Sequence, residues 1–476
     1  MSPLERLRQL VGAWAAARTD RALARWRGED DGELSVKRAR AALGTGEARS
    51  LLESARGLGL IDDVDLGVWL GHLAEAAHDE ILSRRGAPGA PSASREIQLD
   101  DRGARLADLL AAPERWLEPE RREALTSIAT ELDRARREAT AEADAMAQRV
   151  LARGPQRPER ALDAEGWLRA TDDAVLEALA RASHALAGTG LAPPNDPDAR
   201  VLRSLRASAL DGLVPREGRV PRAARALEPL GADARGASRL RIVEHADATL
   251  AHHLAIVQSP RRVVLALSGI ELGLATEIDV LAGLASALVV ASASPALGLE
   301  HRLTPSEPAC ATGALVRLLP TDRKFLARQL GLDARTAEVV RAVAVYLWLA
   351  DARLTLARAV ARSEALPIDA ERAHALASRA IGASRGLPGG PLLVSVRPTR
   401  DLQRAAWAAV AAPSLFAALR ERHDEDWFRN PRARDTLEGA GARGTRLSLD
   451  DWASELGAGT AHHADEAARF AREALR

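Results

Sequence analysis

From Val280 to Leu299 the chain runs for 20 residues without a charge. This run limits the fold more than any other feature, because its apolar side chains must be sheltered from water along its whole length. It is long enough to cross a bilayer. Its composition argues against that: VLAGLASALVVASASPALGL is built mostly from Ala, Ser and Gly rather than Leu and Ile, and it carries Pro295. The expectation is a helix buried inside the protein, with small side chains that let neighbouring helices approach closely.

The remainder reads as mainly α. Ala, Leu, Arg and Glu dominate, and these are strong helix formers. Arg121–Val150 shows the clearest helical spacing, with Leu125, Ile128, Leu132, Ala135, Ala139, Met146 and Val150 recurring largely at three- and four-residue steps. Similar spacing predicts helices over Ser2–Arg27, Ser35–Ala55, Val68–Ser83, Gly166–Ala187, Ala334–Arg362, Ala370–Gly382 and Leu402–Arg422. Gly86–Ser94, Pro193–Pro197 and Arg385–Pro391 read as breaks. Strands are predicted only at Leu240–Val243, Leu254–Val257 and Arg262–Leu267, a small sheet directly before the uncharged helix.

Charge excludes several classes of function. Lys+Arg and Asp+Glu are both 66, so nothing favours nucleic acid or an acidic membrane surface. The single cysteine, Cys310, rules out an internal disulfide and fits a reducing, cytoplasmic setting. The N-terminal stretch MSPLERLRQLVGAWAAARTDR has no uncharged apolar core of secretory length.

Several segments, in order, resemble the M3 zinc peptidases of the thimet oligopeptidase and oligoendopeptidase type. Ala209–Val214 (ALDGLV) with Pro221–Gly231 is similar to the lead-in to that family's catalytic core. Ala255–Gly269 resembles its two strands, and Thr276–Leu303 resembles its HExxH helix and exit, with SPALGLEHRL similar to a DPALPFEYRRL-type exit. Asp322–Leu332, Val340–Ala359, Leu419–Pro431 and Arg446–Gly457 resemble later helices. The resemblance covers about residues 200–476. It implies a two-lobed, zincin-derived helical fold with a small sheet beside the former active-site helix: an N-terminal helical lobe over 1–200 and a core lobe over 201–476.

In that family two histidines four residues apart bind zinc from one helix face, a Glu beside the first activates water, and a later Glu completes the site. The resemblance places Ala282 and Ser286 at the histidine positions, Gly283 at the general base and Cys310 at the third ligand, with Glu307 as the alternative one turn away. Ala and Gly offer no ligand atom, and one thiolate does not make a site. No HExxH occurs anywhere in the chain. The segment resembling the family's oxyanion-donor helix, Pro398–Trp407, has neither Tyr nor His, with Thr399 and Gln403 near the donor positions. Tyr346, the one tyrosine, lies in an apolar stretch.

Other constellations are weaker. His245, His252 and His253 with Glu244 and Asp247 lack a metal-ligand spacing, as do His462 and His463 with Asp465 and Glu466. His72 and His78, six apart, do not share a helix face and are expected at the surface or partly buried. The leading expectation is therefore a pseudopeptidase with no cofactor, no metal and no membrane or nucleic-acid partner, binding a peptide or protein in an inter-lobe cleft. Two alternatives stand beside it: a helical scaffold with a filled cleft, and a hydrolase using non-zinc chemistry at Cys310 or the His245–His253 cluster.

Overall fold

The computed structural model describes residues 1–26, 43, 46–84, 96–99, 102–105, 140–154, 162–187, 210, 218–232, 240–245, 252–258, 262–268, 274–363, 370–383, 399–458 and 464–476. The N-terminal helices are α1 (Pro3–Trp26), α2 (Glu47–Gly57) and α3 (Asp63–Arg84), followed by a two-stranded antiparallel pair, β1 (Glu96–Leu99) and β2 (Arg102–Arg105). Residues 140–151 are helical. Next come α4 (Ala164–Ala170), α5 (Asp172–Ala187) and α6 (Arg219–Ala226), then β3 (Leu240–His245), β4 (His252–Gln258) and β5 (Arg262–Ser268). The C-terminal part is helical: α7 (Leu274–Ala291), α8 (Glu307–Val316), α9 (Arg323–Gln329), α10 (Ala334–Ser363), α11 (Ala370–Ile381), α12 (Thr399–His423), α13 (Pro431–Ala442), α14 (Leu449–Leu456) and α15 (Ala464–Leu475).

The first part of the uncharged run, Val280–Ala291, lies in the buried helix α7, which starts earlier and includes Glu277 and Asp279; the run leaves the helix at Ser292, short of the expected Leu299, and most residues of α7 are inaccessible to water. The helices around it start where side chains can satisfy the open backbone donors of the first turn. Ser306 accepts from Ala309 N and caps α8, Asp322 accepts from Lys324 N and Phe325 N and caps α9, Asn430 caps α13 and Ser448 caps α14. The three-stranded sheet has the order β3-β5-β4, with β5 parallel to β3 and antiparallel to β4. Val263–Leu267 of β5 is buried at every position. This fits a central strand covered on both faces, where an unbroken apolar run replaces alternation. Helix α7 packs against β5.

Two apolar cores emerge. The larger gathers α7, α8, α10 and α12 with β5, and helices α4 and α5 join it by packing on α10. The smaller belongs to the N-terminal layer: Leu7, Val11 and Trp14 of α1, Leu52 of α2 and Leu66, Trp69 and Leu70 of α3, completed by Leu303 from the C-terminal part.

The structure differs from the sequence reading in places. Residues 164–187 form two helices rather than one, parted at Thr171, whose hydroxyl donates to the carbonyl of Trp167. Helix α3 starts earlier, at Asp63, because Asp62 and Asp65 each accept the other's backbone N–H. The β1–β2 pair escaped the sequence reading: β1 alternates over only four residues, EIQL, and β2, RGAR, has no alternating apolar signal. His72 and His78 are fully buried rather than superficial or partly buried. The predicted breaks at 86–94, 193–197 and 385–391, and most of the predicted helix at 121–150, lie outside the described residues.

Candidate functional site

Helix α7 brings Ala282 and Ser286, one turn apart, to the side that meets α8, and Gly283 is buried next to them in the chain. Ala282 is 2% exposed and Ser286 is half-buried. The two helices cross at Gly313 of α8: a Cβ there would lie 3.2 Å from the Ala282 carbonyl oxygen and 3.5 Å from Ser286 Cβ. Backbone therefore approaches backbone at the positions that the resemblance marks for ligands. Cys310 sits one turn earlier on α8, half-buried. Glu307, the alternative third ligand, is engaged elsewhere: its carboxylate accepts from Leu449 N at 2.8 Å and so holds the start of α14.

The acids that α7 does carry were not singled out in the sequence, because neither stands at a position the resemblance marks. Glu277 is fully buried and accepts from Arg222 at 2.8 and 3.0 Å, with Arg219 at 3.5 Å. Asp279 is ion-paired with Arg317 at the end of α8. Burial pushes its carboxyl upward, the nearby Asp351 adds to the rise, and Arg317 opposes it. Both acids are thus bound to guanidinium groups.

Helix α12 supplies charge instead of oxyanion donors. Gln403 is half-buried. The Arg400 guanidinium packs directly against Gly71 of α3, where an added Cβ would displace it, and burial, with Arg404 nearby, lowers its pKa. Arg404 donates to the Pro305 carbonyl at 3.2 Å. Burial opposes the Arg404 charge, and the fields of Asp401, Cys310, Glu75 and Glu307 outweigh it. On the α3 side Glu75 pairs with Arg18, and burial drives the Glu75 carboxyl upward. Tyr346, by contrast, is a core residue: its hydroxyl donates to the Ile381 carbonyl at 2.9 Å, and burial raises its pKa.

One group of metal-type ligands does converge. Ligand atoms of Asp65, Glu300 and His301 lie within 4.8 Å of one another, and all three residues are buried. Arg8 grips both oxygens of Glu300 at 2.8 and 3.0 Å, and Arg446 donates to Asp65 at 2.6 Å. Two guanidinium cations already balance the carboxylates, so the cluster is built as an ion-pair network and fits a metal poorly. The His245–His253 cluster falls at the strand ends. His245 lies opposite Ser268 and His252 opposite Leu267, on either side of β5. Asp247, His462 and His463 lie outside the described residues.

No protein-family model and no curated protein sequence matches the chain. Solved structures do match in fold. Metallocarboxypeptidase 1 of Trypanosoma cruzi aligns with a TM-score of 0.60 at 12% identity, covering 100% of this chain and 99% of that one. The M32 carboxypeptidase of Deinococcus radiodurans R1 gives 0.59 at 14% identity, covering 99% and 98%. A putative oligoendopeptidase F from Bacillus anthracis gives 0.52 at 13% identity, covering 92% and 81%. The likeness spans nearly the whole chain, including the N-terminal part that the sequence marks only as helical. At these identities it establishes the architecture alone: a mainly helical, zincin-like peptidase fold with a small sheet beside the buried helix.

Proposed function

We propose that this chain is a pseudopeptidase, a protein that keeps the metallopeptidase fold without its zinc chemistry and uses the cleft between its N-terminal and C-terminal lobes to hold a peptide or protein segment in a cytoplasmic setting. One observation carries the reading: at the positions that the resemblance assigns to the ligands and base, α7 has Ala282, Gly283 and Ser286, none suited to hold a metal or activate water, and α8 packs on Ala282 and Ser286 at Gly313. The carboxylates nearest these positions support it, since Glu277 and Asp279 are neutralised by arginines. The test is an internally quenched, unstructured peptide added to the purified chain. The reading expects saturable binding seen as a change in anisotropy, with no gain in fluorescence over hours. Cleavage that a chelator abolishes would refute it.

A second reading, a scaffold with a filled cleft, is favoured by the seating of Arg400 on Gly71, which ties α12 to α3. It expects no saturable binding of any peptide in the same titration.

A further inference from the structure

The segment that resembles the exit of the active-site helix, SPALGLEHRL, has no part in the reading above, yet it forms a densely hydrogen-bonded junction. Its short helical turn, Leu299–Arg302, is where the C-terminal part meets the N-terminal layer. Leu299 and Leu303 pack into the small core of that layer. Between them, Glu300 takes both guanidinium nitrogens of Arg8 from α1, and its backbone carbonyl accepts from His72 Nε2 of α3 at 2.8 Å. His301 Nε2 donates to Asp65 of α3 at 2.8 Å, and its other ring nitrogen meets the Thr445 hydroxyl at 2.9 Å. Arg446 then bonds the same Asp65 oxygen. Gly12 and Gly444 admit the turn: a Cβ at Gly12 would sit 3.1 Å from Leu299, and one at Gly444 would sit 2.6 Å from the His301 carbonyl oxygen.

We infer that the Leu299–Leu303 turn is a latch that holds a separately cored helical layer, α1 to α3, closed against the body of the protein. Two physical facts point this way. Among the buried members of the layer's apolar core only Leu303 comes from the turn, so most of that core can stay intact while the junction opens. The junction is charged and geometrically exacting. Pairs of that kind add little net stability over apolar packing, fix one arrangement, and cost heavily when one member is removed. Polar seams between separately cored units are where relative motion is expected. Release of the turn would remove the charged part of the junction and loosen the face of α3 that carries His72 and Glu75, leaving the contacts of α1 with β4 and of Gly71 with Arg400 among the remaining ties. The inference is independent of whether the cleft binds a peptide.

The test is amide hydrogen exchange, followed by mass spectrometry, on the full chain. Glu300→Gln is expected to raise exchange in α1 and α3 roughly a hundredfold, the scale of losing one partner of a buried pair, while α10 and α12 stay at wild-type protection. His301→Asn, a milder change, is expected to give the same pattern with smaller amplitude. In the Glu300→Gln background, Gly12→Cys with Leu299→Cys would tie α1 to the turn: oxidation is expected to restore slow exchange and reduction to release it. Equal acceleration in α1, α3, α10 and α12 would make the turn an ordinary part of one cooperative fold and overturn the inference. So would unchanged exchange in α1 and α3, or an oxidised cross-link that leaves them fast.

Discussion

Arg353 shows how a single side chain can organise several elements here. It is fully buried near the middle of α10. Its guanidinium donates to the carbonyls of Ala380 and Arg379 at the end of α11 and of Leu168 in α4, to the Thr171 hydroxyl, and to Asp172 at 2.5 Å. These carbonyls would otherwise be open ends of helices, costly to bury unpaired. Arg353→Leu is expected to destabilise the protein by about 3–5 kcal/mol in urea unfolding, and Arg353→Lys is not expected to restore it, because an ammonium cannot span the same fork. His72 gives a pH dependence. Burial lowers its pKa to about 4, the Arg400 charge adds to the shift, and the hydrogen bond to Glu300 only partly opposes it. The folded state therefore binds this proton less readily than the unfolded chain, whose value is about 6.5. Its contribution is intact above pH 6.5 and is lost as pH falls toward 4, by about 3 kcal/mol in all. His72→Gln, which can still donate to the Glu300 carbonyl, is expected to flatten that limb of the stability–pH curve. An unchanged slope would contradict the burial argument.

At the scale of elements, the crossings of α7 decide what the site can become. Helix α13 passes so close that a Cβ at Gly441 would fall 2.2 Å from the Val289 carbonyl oxygen. Backbone cannot yield there as a flexible side chain can, so Gly441→Ala is expected to cost about 1–3 kcal/mol in thermal or urea unfolding. Ala282→Leu, on the face closed by α8, is expected to cost a similar amount, about 1–3 kcal/mol. The half-buried Ser286→Ala should change stability by less than about 0.5 kcal/mol. Much of this layout was legible from local pattern. The β-branched runs at 240, 254 and 262 became β3, β4 and β5, and the first part of the uncharged run became part of α7, because alternation, length and missing charge are local signals. The crossings were less legible. A glycine in a helix reads only as a weak helix former, and nothing in the neighbourhood of Gly313 or Gly441 announces which backbone it will meet.

At the scale of the whole molecule, the charged seam between the two cores carries the organisation that no local pattern reveals. His72 meets Glu300 across 228 positions of sequence, Arg8 meets Glu300 across 292 and Arg446 meets Asp65 across 381. Such pairs leave no periodicity: the sequence offered His72 as surface or partly buried, Glu300 as part of a resembling exit, and His301 as that and as an unoriented neighbour of Cys310. The fold itself was readable over residues 200–476 through spaced motifs. Over the first 200 it rests on likeness of shape to carboxypeptidases of nearly the same length. That whole-molecule likeness is of shape alone; the proposal that Ala282, Gly283 and Ser286 replace metal ligands rests on the resemblance of Thr276–Leu303 to an HExxH helix. Metal analysis of the chain, produced with zinc in excess and then passed through gel filtration, addresses this most directly. The account predicts zinc far below one equivalent per chain, unchanged by Ala282→Leu. A full equivalent that Ala282→Leu or Cys310→Ala removes would contradict it.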